Sequence, residues 1–169
     1  MNYEIKHCSV LDAGTEAIVN AANNYLECGG SLCGAIFAAA GGEQLEKECR
    51  KYGHIETGLA VVTPGFKTGA KYIIHAVGPN IWQNKDNWQE KLKDAYNNAL
   101  TVADFREVKS IALPCISTGI YSCPLEEATE IAIKTISEYT PESIEQCIFC
   151  CYTEEEYETY LRIEKKNKS

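Results

Sequence analysis

Ala17-Ile18-Val19-Asn20-Ala21-Ala22-Asn23 runs into Cys28-Gly29-Gly30-Ser31-Leu32-Cys33-Gly34, and the fold turns on how this passage is read. The first part is a short buried strand, and the Ala-rich run from Gly34 through Ala40 behind the glycines is helical. The pattern recurs where Ile111-Ala112-Leu113-Pro114 leads to Cys115-Ile116-Ser117-Thr118-Gly119-Ile120-Tyr121. A glycine-rich turn that opens a helix bares backbone N–H groups, and the positive end of the helix dipole points the same way. Two such turns at the carboxyl ends of strands predict a clamp for a diphosphate.

Outward from these turns, apolar runs alternate with helical patterns. Tyr3 to Cys8 reads as a strand, Glu43 to Tyr52 as a helix, and Gly58 to Thr63 and Lys71 to Val77 as strands stopped by Pro64-Gly65 and Gly78-Pro79. Asn87 to Phe105 places Trp88, Leu92, Ala95, Ala99 and Ala103 at helical spacing. Pro124 suits a first helical position ahead of the stripe Leu125, Ala128, Ala132, Ile136 and Tyr139. Glu145 to Cys151 reads as the last strand, and Thr153 as the cap of a final helix. This alternation predicts a three-layer α/β/α fold with a parallel or mixed sheet, whose ligands sit beyond the strands' carboxyl ends.

Composition narrows the function. At 169 residues the chain reads as one domain over 1–169, with a basic tail at about 165–169. Sixteen basic against 24 acidic residues give a net charge of −8, which opposes extended nucleic-acid binding, since that affinity comes from Lys and Arg on phosphates. No apolar run is long enough to span a membrane or to form a signal peptide, so a cytoplasmic location is expected. Nine cysteines, many in apolar runs, read as reduced thiols acting as small hydrophobes. Cys147 and Cys150 would face opposite sides of a strand, and Cys28 and Cys33 have no evident further ligands, so no metal is expected.

Four ordered motifs resemble the macrodomain family: Ile18 to Asn23, the turn after it, Ile74-His75-Ala76-Val77-Gly78-Pro79, and Pro114 to Gly119. The resemblance runs from about Cys8 to Tyr160. It implies a central mixed six-stranded sheet and a cleft for ADP-ribose, with no cofactor. It also implies that Asn23 hydrogen-bonds the distal ribose, as an amide that both donates and accepts. Gly29, Gly30, Ser31, Leu32, Cys33 and Gly34 form one implied wall around the diphosphate. Ser117, Thr118, Gly119 and Ile120 form the other, with Val10, Ala21 and Pro114 completing the lining. Tyr121 matches an aromatic position over the distal ribose, and Tyr152 one beside the adenine. His75, in an apolar strand, reads as a satisfied core histidine rather than a catalytic group.

Three positions depart from the family pattern. Ser9 stands where members commonly carry the Asp that accepts from the adenine amino group; Asp12 takes that role only if the loop follows another path. Cys33 stands where MacroD-type hydrolases carry an Asp, and Phe37 where they carry a His. Alphavirus macrodomains also place a Cys at this turn. A thiol at a helix N-terminus is a candidate nucleophile, but no base is paired with it and a nearby diphosphate opposes the anion, so Cys33 reads as space-filling. The resemblance implies a protein that binds ADP-ribose or an ADP-ribosylated partner. It further implies hydrolysis of ADP-ribosyl-carboxylate esters or O-acetyl-ADP-ribose, with Asn23 and Tyr121 orienting the sugar. The alternative is a reader that binds without turnover.

Overall fold

A computed structural model describes residues 1–168. Six strands, β1 (Glu4–His7), β2 (Ala17–Ala22), β3 (Ala60–Pro64), β4 (Tyr72–Val77), β5 (Ser110–Leu113) and β6 (Gln146–Cys151), form one sheet in the order β1-β6-β5-β2-β4-β3. Every neighbouring pair is parallel except β3 with β4. Five of the strands therefore end on one edge of the sheet, and both glycine-rich turns leave from that edge.

Alternation along each strand sends side chains to two cores. Val19, Ile74, Ile111, Leu113, Cys147 and Phe149 pack with the face covered by α3 (Trp88–Phe105), α4 (Leu125–Glu138) and α5 (Glu154–Lys168). Ile18, Ala22, Ile73, Val77, Ala112, Ile148 and Cys150 pack on the other face, under α1 (Ser31–Ala40) and α2 (Glu43–Arg50). The expected three-layer α/β/α fold with a mixed six-stranded sheet is the one observed. Cys147 and Cys150 lie in opposite cores, as strand alternation requires, and all nine cysteines are free.

Helix boundaries differ from expectation in instructive ways. α1 begins at Ser31 rather than Gly34, because Gly30 caps it in an extended conformation (φ −84°, ψ −180°) and the glycine turn itself becomes the first helical turn. Pro124 is the residue before α4, not its first, since its ψ of 124° is not helical. Thr153 does cap α5: Glu156 N donates to its Oγ1 at 3.1 Å while Thr153 N donates to Glu156 Oε1 at 2.9 Å, a reciprocal capping box. The lysines of the expected basic tail form the last turn of α5, where cations complement the helix dipole. The one-turn helices Val10–Asp12 and Phe66–Thr68 carry no periodic signal in the sequence.

Candidate functional site

Beyond the carboxyl ends of the parallel strands lies a cavity of about 390 Å³. Its floor comes from Ala21, Ala22, Gly78 and Pro114, and its walls from the two glycine-rich turns. The topology orders its contents. Cys8, Ser9, Val10, Cys150, Tyr152, Thr153 and Glu156 occupy the β1/β6 end, the second loop the middle, and Asn23, Cys33 and the first loop the β2 end.

Both loops are built to expose main-chain N–H groups. The first turn of α1, from Ser31, leaves its amides without intrahelical acceptors. In the second loop the N–H groups of Thr118, Gly119 and Ile120 make no hydrogen bond within the described residues. Leu26, Ser31, Ser117 and Ser122 hold positive φ angles of 54°, 53°, 66° and 59°, a conformation costly for residues with side chains and concentrated at functional turns. No Lys, Arg or His lines the cavity, so an anion there meets only main-chain N–H groups and neutral side-chain donors.

The second loop is braced from beneath. Tyr96, fully buried on α3, donates from its hydroxyl to Pro114 O at 3.1 Å and accepts from Ile116 N at 3.0 Å. Ile81 N donates to Tyr121 O at 3.1 Å, and Cys123 Sγ lies 3.6 Å from Pro79 O. Gly78 leaves room that any side chain would fill: a Cβ there would lie 2.3 Å from Ser117 Oγ and 2.4 Å from Ile116 Cγ2. Gly34 has a comparable role in the first loop, where a Cβ would lie 2.8 Å from Gly29 O.

Asn23 stands on the cavity wall and also knits the first loop. Its Oδ1 accepts from Tyr25 N at 3.1 Å and Glu27 N at 3.0 Å, and its Nδ2 donates to Glu27 O at 3.3 Å, leaving one N–H uncommitted. Burial pushes the Cys33 thiol above its ordinary range, outweighing the Gly29 backbone and Asn20 hydrogen bonds that pull it down. The group is a neutral thiol, not a thiolate. Burial, then the neighbouring Cys33, pushes the Tyr121 phenol up as well, so it stays protonated as a hydrogen-bond donor.

Behind Cys33 lies a buried polar chain. Asn20 and His75 are register partners on β2 and β4. Asn20 Nδ2 sits 3.1 Å from His75 Nδ1 and 3.6 Å from Cys33 Sγ, while His75 Nε2 lies 3.0 Å from Thr63 Oγ1. With Nδ1 accepting, Nε2 carries the proton and donates to Thr63. Burial drives the His75 pKa down to about 4, which keeps the ring neutral. His75 is thus a satisfied core histidine, walled off from the cavity by Asn20 and Cys33.

Of the residues singled out from sequence, Ser9, Val10, Ala21, Asn23, Gly29, Gly30, Ser31, Leu32, Cys33, Pro114, Ser117, Gly119, Ile120, Tyr121 and Tyr152 line this one cavity. Gly34 and Thr118 stand behind its walls: Gly34 packs on Gly29, and Thr118 Oγ1 lies 3.3 Å from both Cys115 O and Glu156 Oε2. Glu156 went unnoticed in the sequence although it is the only charged side chain in the lining; its Thr-x-x-Glu spacing from Thr153 was the available signal. Among the described residues no group of three or more His, Cys, Asp or Glu is placed to hold a metal, and no helix is long and apolar enough to cross a membrane.

Comparison with known proteins agrees with this geometry. Residues 19–132 match the family model for the Macro domain. The O-acetyl-ADP-ribose deacetylase of Salmonella newport is 41% identical over 161 residues, covering 91% of this chain and 89% of that one. The ADP-ribose glycohydrolase MACROD2 of Xenopus laevis is 42% identical over 151 residues, 87% of this chain but 36% of the longer relative. The Oceanobacillus iheyensis macrodomain, solved with ADP, superposes with a TM-score of 0.91 at 34% identity, covering 97% of this chain and 90% of that one. With its matched residues running from within β2 into α4, both glycine-rich loops included, the chain belongs to the Macro domain family.

Proposed function

We propose that this protein binds ADP-ribose in the cavity and hydrolyses ADP-ribosyl esters, of protein carboxylates or of acetate. The observation that carries the reading is a pair of loops with bare amides facing one cavity that has no cationic side chain. A diphosphate matches those donors, each charge-assisted hydrogen bond contributing about 1.5–3 kcal/mol. Relatives named for O-acetyl-ADP-ribose deacetylation and ADP-ribose glycohydrolysis support the chemistry.

In this reading Asn23, through its uncommitted N–H, and Tyr121, through its protonated phenol, orient the distal ribose. Water attacks the anomeric carbon as the bond to the acyl oxygen breaks. The carboxylate leaves with the bonding pair, and the water proton passes to a substrate phosphate oxygen. Cys33 stays a neutral wall. The amides hold the diphosphate so that the sugar meets the water in line.

A reader without turnover is favoured by one feature: the only carboxylate in the lining, Glu156, lies at the end away from Asn23 and Cys33. Calorimetric titration with ADP-ribose, AMP and ribose-5-phosphate, followed by a release assay on protein ADP-ribosylated at Asp or Glu, separates the readings. The expected result is tight ADP-ribose binding, much weaker AMP binding and release well above buffer. Tight binding with no release at high protein concentration assigns the reader, and equal affinity for AMP and ADP-ribose removes the diphosphate clamp.

A further inference from the structure

The segment between α2 and β3 lines no part of the cavity, yet it is fastened to the first loop at Asn24. Both hydrogens of the Asn24 amide are committed there: Nδ2 donates to Ile55 O at 2.9 Å and to Thr57 Oγ1 at 3.1 Å. The Asn24 carbonyl accepts from Ile55 N at 2.7 Å, so the two backbones are clipped together as well. Ile55 is buried in the same core as Leu26 of the first loop.

The far end of this strap is held by the frame of the molecule. Gly58 N donates to Val77 O, at the end of β4, at 2.7 Å, and Asn98 Nδ2 on α3 donates to Gly58 O at 2.7 Å. Gly58 runs close to α3, with a φ of +95° and a hypothetical Cβ 3.2 Å from Asp94 Cβ. Tyr96, two residues before Asn98, braces the second loop. One helix therefore supports both walls of the cavity. Tyr96 holds the second loop directly, and Asn98 holds the first through the strap and Asn24.

This matters for Asn23, the neighbour of Asn24. Its side chain makes three hydrogen bonds within the loop, so it cannot turn without breaking them. The aim of its one uncommitted N–H is set by the path of the loop, and Asn24 fixes that path. We infer that Asn24 is a positioning residue: through the strap it holds Asn23 in register with the second loop for contact with the distal ribose. Asn24 itself stands outside the cavity lining. The inference rests on the nucleotide-sugar reading and on the part Asn23 plays in it.

The test is calorimetric titration of the full chain and its variants with ADP and ADP-ribose. Only the second ligand carries the distal sugar, so a change in their affinity ratio on substitution reports contacts to that sugar. Asn24→Ala is expected to cut the ratio about tenfold in ADP-ribose's disfavour, with ADP affinity within about twofold of wild type. Thr57→Val, which removes one acceptor from the strap, should move the ratio the same way by less. Asn23→Ala should cut the ratio too. Adding Asn24→Ala to it should change the ratio by less than about twofold, because Asn24 acts only through Asn23. Equal losses for ADP and ADP-ribose in Asn24→Ala make it a merely structural residue and overturn the inference. An unchanged ratio in Asn24→Ala, or additive effects in the double variant, overturn it too. An unchanged ratio in Asn23→Ala defeats the sugar contact on which the inference rests, and failure of wild type to bind either ligand defeats the nucleotide-sugar reading itself.

Discussion

Tyr96 shows how much one hydroxyl can hold. It satisfies the carbonyl of Pro114 and the N–H of Ile116, both in the approach to the second loop. Tyr96→Phe leaves these two groups without partners, and a buried unsatisfied group costs about 1–3 kcal/mol. Urea denaturation should register that loss, and ADP-ribose affinity should fall with it because the loop loses its brace. Cys33 gives the opposite expectation. As a neutral thiol it offers no nucleophile, so Cys33→Ala should leave ester turnover within about threefold of wild type, under 1 kcal/mol in barrier. A loss of hundredfold or more in a steady-state assay would assign it a direct role. Asn23 was legible in the sequence as a polar residue at a strand end. Its three bonds within the loop were not, because they depend on where Tyr25 and Glu27 place their backbones.

At the level of elements, the site depends on strand ends packed too closely for side chains. Gly78 follows β4 and lies against Ile116 and Ser117 of the second loop, so β4 and that loop approach at backbone distance. Gly78→Ala forces the loop outward. Overpacking of this kind costs about 1–3 kcal/mol, and the expected outcome is lower thermal stability together with ADP-ribose binding weakened more than tenfold. Unchanged binding by calorimetry would show that the loop adjusts freely. The elements themselves were readable from periodicity: each expected strand and helix exists, with ends displaced by no more than three residues. The displacement at α1 matters most, since three extra residues turn the glycine loop into a helix N-terminus whose Ser31, Leu32 and Cys33 line the cavity.

Across the whole molecule, two cores pack on opposite faces of the sheet, and the polar chain of Asn20, His75 and Thr63 is buried on the α1/α2 side. It makes stability depend on acid. Above the ordinary histidine value of 6.5, His75 is neutral whether the chain is folded or not. As pH falls below 6.5 the unfolded chain takes up a proton that the folded protein refuses until about pH 4. Stability therefore falls across that window, by at most about 3 kcal/mol from this residue. Urea midpoints measured between pH 7.5 and 4 should show the decline, and His75→Gln should flatten it. Parallel slopes for the two proteins would mean that His75 ionises freely in the fold.

The order of apolar runs, helical stripes and glycine turns was enough, by itself, to determine the layered α/β/α architecture and most of the cavity's walls. Both depend on local periodicity and on backbone freedom, which neighbouring residues specify. The convergence of the two loops was decided by the tertiary structure alone. It follows from five strands running parallel, so that segments almost ninety residues apart in sequence end on one edge. The engagement of Glu156, the hydrogen-bond partners of His75 and the contacts of the Cys33 thiol were likewise settled there. Each depends on the partners and the solvent exclusion that packing supplies, and no stretch of sequence carries these alone.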